Sequence, residues 1–170
     1  MAEVKKGFTL VELVMVIIVT AIMAVVIMVA INNALRAIQF NAATEKLVSD
    51  LRYAQAMASG NGKWYGVAFE ADPTNRYSIY LLNGTSESLA ENPAHLGQTL
   101  VVNLGEQFGT LISDISIEGG GTVVEINPLG VPYTDKFGYI ISQESYVTIS
   151  KDGQTRRIFF TPESGRIYSQ

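Results

Sequence analysis

The sequence predicts an α+β protein: one long N-terminal helix, then an antiparallel β domain of short strands. Three observations predict it. Residues 8–59 contain neither Gly nor Pro, so nothing in them breaks a helix. Within that stretch the apolar residues first run without a gap and then fall at helical spacing. From Lys63 onward the apolar period changes to two, and the runs are divided by Gly, Pro, Asn and Asp.

Taken in order, residues 1–7 form a short polar leader that ends Lys5-Lys6-Gly7. Residues 8–31 are apolar apart from Thr9, Glu12 and Thr20. As a helix rising ~1.5 Å per residue they reach roughly 36 Å, enough to cross a ~30 Å hydrocarbon layer. Lys5 and Lys6 keep the N-terminus in the cytoplasm and send the rest of the chain across a membrane. A cleaved secretory signal has a shorter apolar core, with small residues directly after it. Here the nearest such pattern, Ala54-Gln55-Ala56-Met57-Ala58, lies far downstream. A plain membrane anchor leaves Glu12 without a reason, because a carboxylate in such a segment is costly and is expected to have a partner.

Residues 32–59 continue the helix with one apolar side. Phe40, Thr44, Leu47, Leu51, Ala54 and Ala58 keep helical spacing, Val48 and Met57 widen the stripe, and Arg36, Glu45, Asp50 and Arg52 lie outside it. That stripe is expected to pack on the β domain, and the helix to end at Ser59-Gly60-Asn61-Gly62. Residues 60–170 form the β domain. Strands are expected at 64–70 and 76–82, with a Pro/Asx turn between them, and residues 83–98 read as a polar loop. Further strands are expected at 99–104, 111–118, 122–127, 137–142, 146–151, 156–161 and 165–169. Gly119-Gly120-Gly121 is read as a turn and Asp152-Gly153 as a two-residue hairpin.

The chain carries 12 basic and 16 acidic side chains, a net charge of −4. Losing residues 1–7 would remove Lys5, Lys6 and Glu3 and shift the balance to −5. No basic excess points to broad nucleic-acid binding. There is no cysteine, so a domain in an oxidising compartment is held by its core without a disulfide.

Gly7-Phe8-Thr9-Leu10-Val11-Glu12, after a basic leader and before an unbroken apolar helix, resembles the N-terminal signal of type IV pilins and type II secretion pseudopilins. The resemblance implies cleavage between Gly7 and Phe8 by a prepilin peptidase, which is also the methyltransferase that N-methylates Phe8. It implies a protein of the inner membrane that joins a filament with other pilins or pseudopilins through an assembly platform. It assigns Glu12 an ion pair with the new Phe8 amine, on the same chain or on a neighbour's. Glu12 lies one helical turn from Phe8, and an amine and a carboxylate attract more strongly in low dielectric than in water. Asn127-Pro128-Leu129-Gly130, Arg157-Ile158-Phe159-Phe160, Gly165-Arg166-Ile167 and residues 51–58 are similar to the H-type minor pseudopilin and FimT-type pilin group. That group's fold is two β-sheets beside the upper half of the helix. The absence of cysteine departs from the disulfide-closed C-terminal loop of many major type IV pilins, and by that resemblance favours the pseudopilin or minor-subunit branch.

Little else in the chain points to chemistry. His95 is the single histidine, in a polar loop beside Pro93, and it reads as a solvated side chain. No serine stands at a recognisable spacing for activation by it, and neither a Cys nor a second His is present to complete a metal set. The triple glycine lacks the Lys-Ser/Thr of a phosphate loop, and Asp72, Asp114 and Asp135 lack calcium-loop spacing. Asn83-Gly84-Thr85 fits a glycosylation acceptor but reads better as a surface turn. No metal, cofactor or enzymatic activity is expected. Arg156, Arg157 and Arg166 are candidates for phosphate contacts of a DNA-uptake pilin, the alternative function. Arginines on a solvated strand face are the preferred reading.

Overall fold

The computed structural model describes residues 9–136, 138–162 and 164–170. The helix α1, Leu10–Asn61, runs unbroken through 52 residues. The chain divides into two compact units, one ending at Ile38 and one spanning Gln39–Gln170. In the first unit the large apolar side chains from Leu10 to Ile38 are all exposed. This stretch is long and apolar enough to cross a membrane.

The second unit begins with the remainder of α1, whose buried side chains include Phe40, Ala43, Thr44, Leu47, Leu51, Ala54 and Ala58. Their spacing is the one the sequence predicts. Among the described residues twelve strands follow: β1 (Trp64–Glu70), β2 (Arg76–Asn83), β3 (Ser86–Leu89), β4 (Glu91–Asn92), β5 (His95–Thr99), β6 (Val101–Asn103), β7 (Leu111–Ser116), β8 (Val123–Ile126), β9 (Pro132–Tyr133), β10 (Ser145–Lys151), β11 (Gln154–Phe160) and β12 (Ile167–Ser169). A short helix, α2 (Leu104–Phe108), separates β6 from β7. One sheet has the order β3-β2-β1-β8-β9, with β6 also on β2; a second has the order β12-β11-β10-β7; β4 and β5 make a small hairpin. All pairings are antiparallel. One continuous apolar cluster joins α1 to both large sheets, through Val67, Phe69 and Ile79 of the first and Ile149, Ile158 and Phe160 of the second.

Asp152-Gly153 closes the β10–β11 hairpin with φ of 50° and 81°, the positive pair that a two-residue type I′ turn needs. Four expectations need correction. The polar loop 83–98 contains β3, β4 and β5; every residue of β3 and β5 is exposed, so these strands carry no apolar alternation to read. The strand at 99–104 is cut short at Asn103, whose side chain accepts the Glu106 N–H at 3.1 Å and caps α2. The strand at 137–142 reduces, among the described residues, to a single bridge between Ile140 and Tyr133. Asp50, read as lying outside the packed stripe, is buried: its carboxylate accepts from the Tyr77 hydroxyl at 2.7 Å and from Lys46 Nζ at 2.6 Å.

A second polar pair sits on the other face of the larger sheet. Gly66 lies between Tyr80 of β2 and Glu125 of β8 in the strand register. The Tyr80 ring crosses directly over Gly66, so an added Cβ would lie 2.1 Å from it. The ring thereby reaches across, and its hydroxyl donates to Glu125 Oε1 at 2.9 Å. Glu125 is 4% exposed. Burial pushes its carboxyl above the usual carboxylate range, and the Tyr80 hydroxyl only partly offsets this. Burial likewise pushes the Tyr80 and Tyr77 hydroxyls up, with Glu125 and Asp50 adding to the effect.

Two outcomes follow. A raised native pKa means that the stability linked to Glu125 is full below the unfolded carboxylate range and is lost as pH rises through the native value. Glu125→Gln should therefore raise the melting temperature more at pH 8 than at pH 4; an equal or reversed difference would contradict the burial argument. Tyr77→Phe strips one donor from buried Asp50 and should cost about 1–3 kcal/mol in thermal or denaturant unfolding.

Candidate functional site

The head of α1 is built around Thr9 and Glu12. Thr9 Oγ1 accepts the Glu12 backbone N–H at 3.2 Å. In return, Glu12 Oε2 accepts the Thr9 backbone N–H and the Thr9 hydroxyl, each at 3.1 Å. Leu13 N–H donates to Thr9 O at 3.2 Å, the first turn of the helix. This is a capping box, in which each residue satisfies a backbone donor of the other. The acid also lies at the positive end of the helix dipole. The Thr-x-x-Glu spacing of Thr9 and Glu12 encodes it, a role beside the amine partner expected for Glu12 from the sequence. Both donors converge on Oε2, and Oε1 accepts nothing among the described residues. Gly7 and Phe8, the expected cleavage and methylation positions, lie outside the described residues, as does the expected Phe8–Glu12 pair. Thr20, the other polar residue of the apolar stretch, turns its hydroxyl back to Val16 O at 2.8 Å and Ile17 O at 3.0 Å.

The three arginines do not share one patch. Arg156 and Arg157 are successive residues of β11 and so face opposite sides of the sheet. Arg156, half-buried, lays its guanidinium over the ring of buried Phe40 at 5.6 Å. Arg157 is exposed and lies 4.9 Å from the Tyr146 ring. Arg166, also exposed, lies 5.6 Å from the Tyr168 ring. Tyr146, Phe159 and Tyr168 occupy matching positions on β10, β11 and β12. Phe159 packs 5.6 Å from Tyr146 and stacks 5.1 Å from Tyr168. An aromatic ladder thus crosses the outer face, with an arginine over each end ring. The Tyr168 hydroxyl donates to Glu144 Oε1 at 3.1 Å, which brings an acid to one end.

The helix side of the same sheet is bound by Arg52, expected outside the packed stripe, and by Gln55, for which the sequence suggests no contact. Arg52 Nη2 donates to Ile167 O at 2.9 Å, and Gln55 Nε2 donates to Gly130 O at 2.9 Å and Gly165 O at 3.0 Å. A Cβ on Gly165 would lie 2.2 Å from Gly130 O, so the two loops meet at backbone distance. Among the described residues no group of three His, Cys, Asp or Glu side chains is arranged to hold a metal ion.

No protein-family profile matches the sequence, and no curated protein matches it. Solved structures do. The minor pseudopilin EpsH from the type 2 secretion system of Vibrio cholerae aligns with a TM-score of 0.56 at 17% identity, covering 76% of this chain and 94% of that one. A second EpsH structure gives 0.54 at 16% identity, covering 74% and 89%. The type IV minor pilin FimU of Pseudomonas aeruginosa gives 0.50 at 16% identity, covering 76% and 91%. At this level of identity the likeness is one of fold, and the fold is pilin-like: one long N-terminal helix followed by antiparallel sheets.

Proposed function

We propose that the chain is a minor, non-enzymatic subunit of a pilin-type filament, either a type II secretion pseudopilus or a type IV pilus. The observation that carries this reading is an apolar stretch with every large side chain exposed, headed by one acid and joined to a unit whose strands share the fold of minor pseudopilins. Residues 1–7 act as a leader removed after Gly7, and Phe8 is then N-methylated. Residues 8–31 span the inner membrane with the N-terminus cytoplasmic, residues 32–59 carry the helix on, and residues 60–170 form the periplasmic domain.

The mechanism is assembly. In the membrane the exposed side chains of residues 10–31 are solvated by lipid. Burying them against other apolar helices in a filament costs little desolvation of neutral polar groups, because the Thr20 and Thr9 hydroxyls are already bonded within their own helix; the Glu12 carboxylate is the costly exception. Glu12 then gives direction. Its Oε2 is held by Thr9, which leaves Oε1 for the cationic Phe8 amine, whether of its own chain or of a subunit moving past. The expected partners are other pilins or pseudopilins, the prepilin peptidase and the assembly platform of the inner membrane.

A DNA-binding minor pilin is the second reading, favoured by Arg157 and Arg166 over the aromatic ladder. It ranks lower because Glu144 closes one end of that ladder.

Glu12→Gln separates capping from charge, since Gln also completes a capping box. Glu12→Gln and Glu12→Ala should both insert and lose the leader, yet fall at least roughly tenfold in cross-linked filament fractions, as expected when a pair in low dielectric loses one charge. Wild-type incorporation of Glu12→Gln would reduce Glu12 to a cap. Mass spectrometry of the mature protein should find methylated Phe8 first, and a chain still starting at Met1 would refute the processing.

A further inference from the structure

The seam between α1 and the edge strand β12 is laced and then left open. Gln55 bonds Gly165 O, and Arg52, three residues back along the helix, bonds Ile167 O, two residues on along the strand. Arg157 and Gln170 exchange both backbone hydrogen bonds, at 3.0 and 2.9 Å. By antiparallel alternation, Tyr168 and Gln170 spend their backbone groups on β11, while Ile167 and Ser169 turn theirs outward. The next rung would join Ser169 to helix position 49. That residue is an exposed serine, with a side chain too short to span the distance that Arg52 spans. From there the seam opens into a groove of about 530 Å³, lined among others by Glu45, Ser49, Arg52, Arg156, Tyr168 and Ser169.

The groove has a charge and a shape. Arg52 is fixed by one hydrogen bond to Ile167 O, which leaves most of its five donors. Arg156 is fixed by the face of Phe40, a contact that uses no N–H at all. Two guanidinium side chains thus line the same groove as Ser169, with Glu45 as the one acid among the lining residues. This basic lining belongs to a unit in which acidic residues outnumber basic ones. A strand edge presents backbone donors and acceptors, and arginine forks match carboxylates.

We propose that this groove receives an extended acidic segment of a partner protein, which pairs with the Ser169 backbone and places carboxylates on Arg52 and Arg156. The groove lies wholly within the Gln39–Gln170 unit, so the proposal goes beyond assembly through the apolar helix and does not depend on it.

The test uses the full chain in detergent micelles and fluorescence anisotropy with a fluorescein-labelled octapeptide of alternating Val and Glu. Matched peptides carry Gln or Lys in place of Glu, and a single-stranded oligonucleotide serves as a competing anion. The Glu peptide should bind at least roughly tenfold tighter than the Gln and Lys peptides, a difference set by charge-assisted bonds to arginine. Arg156→Gln should weaken it to the level of the Gln peptide. Ser49→Trp, on an exposed helix position, should fill the groove and abolish binding with an unchanged melting temperature. Equal binding of the three peptides, full binding to Ser49→Trp, or displacement by the oligonucleotide at lower concentration than by unlabelled peptide would each overturn the proposal. Filament incorporation is a separate readout, so failure here leaves the assembly reading standing.

Discussion

The strip of helix from Phe40 to Ala58 is the floor on which both large sheets are laid. Neither sheet could bury its inner face alone, since a sheet needs a second layer to cover it. Ala43, Ala54 and Ala58 are fully buried, and their small side chains allow the strands to come close; Leu47 and Leu51 fill the space between. At ~25 cal/mol per Å² of apolar surface removed from water, such a stripe outweighs any polar contact in the domain. The polar contacts instead fix the register of helix on sheet. Asp50 ties to Tyr77 of the larger sheet, Arg52 and Gln55 tie to the loop and strand ahead of the C-terminus, and Lys151 of β10 donates to Gln39 Oε1 at 2.7 Å and to Phe108 O.

The same helix carries two kinds of surface. Up to Ile38 its large apolar residues face outward on every side; from Phe40 they face one way. A helix apolar all round is stable only where its surroundings are apolar too. The first surface therefore calls for lipid or for other helices, while the second is satisfied within the chain.

The sequence made the helix, its packed stripe and most of the strands legible, because period and composition are local properties. Trp64–Glu70 matches its expected bounds, and the end of α1 falls within the expected Ser-Gly-Asn-Gly segment. What stayed hidden was set by pairing at a distance. The residues of β3 are all exposed, and that strand exists because β2 offers an edge to it. Asp50 looked like a solvated charge; only the approach of Tyr77, 27 positions away in sequence, makes it a buried acceptor. The three arginines look like one cluster on paper, yet strand alternation splits Arg156 from Arg157. Glu12 was legible twice over, since the Thr-x-x-Glu cap and the acid-in-apolar-helix pattern fall on the same residue.

The arrangement of Tyr80 over Gly66 carries a consequence for how this sheet can change over generations. A methyl group at position 66 has no room while the ring lies there. Removing the ring to make room would uncover the carboxyl at position 125 and take away its donor. Three residues on three adjoining strands, far apart in the chain, are thus bound to vary in concert or stay as they are.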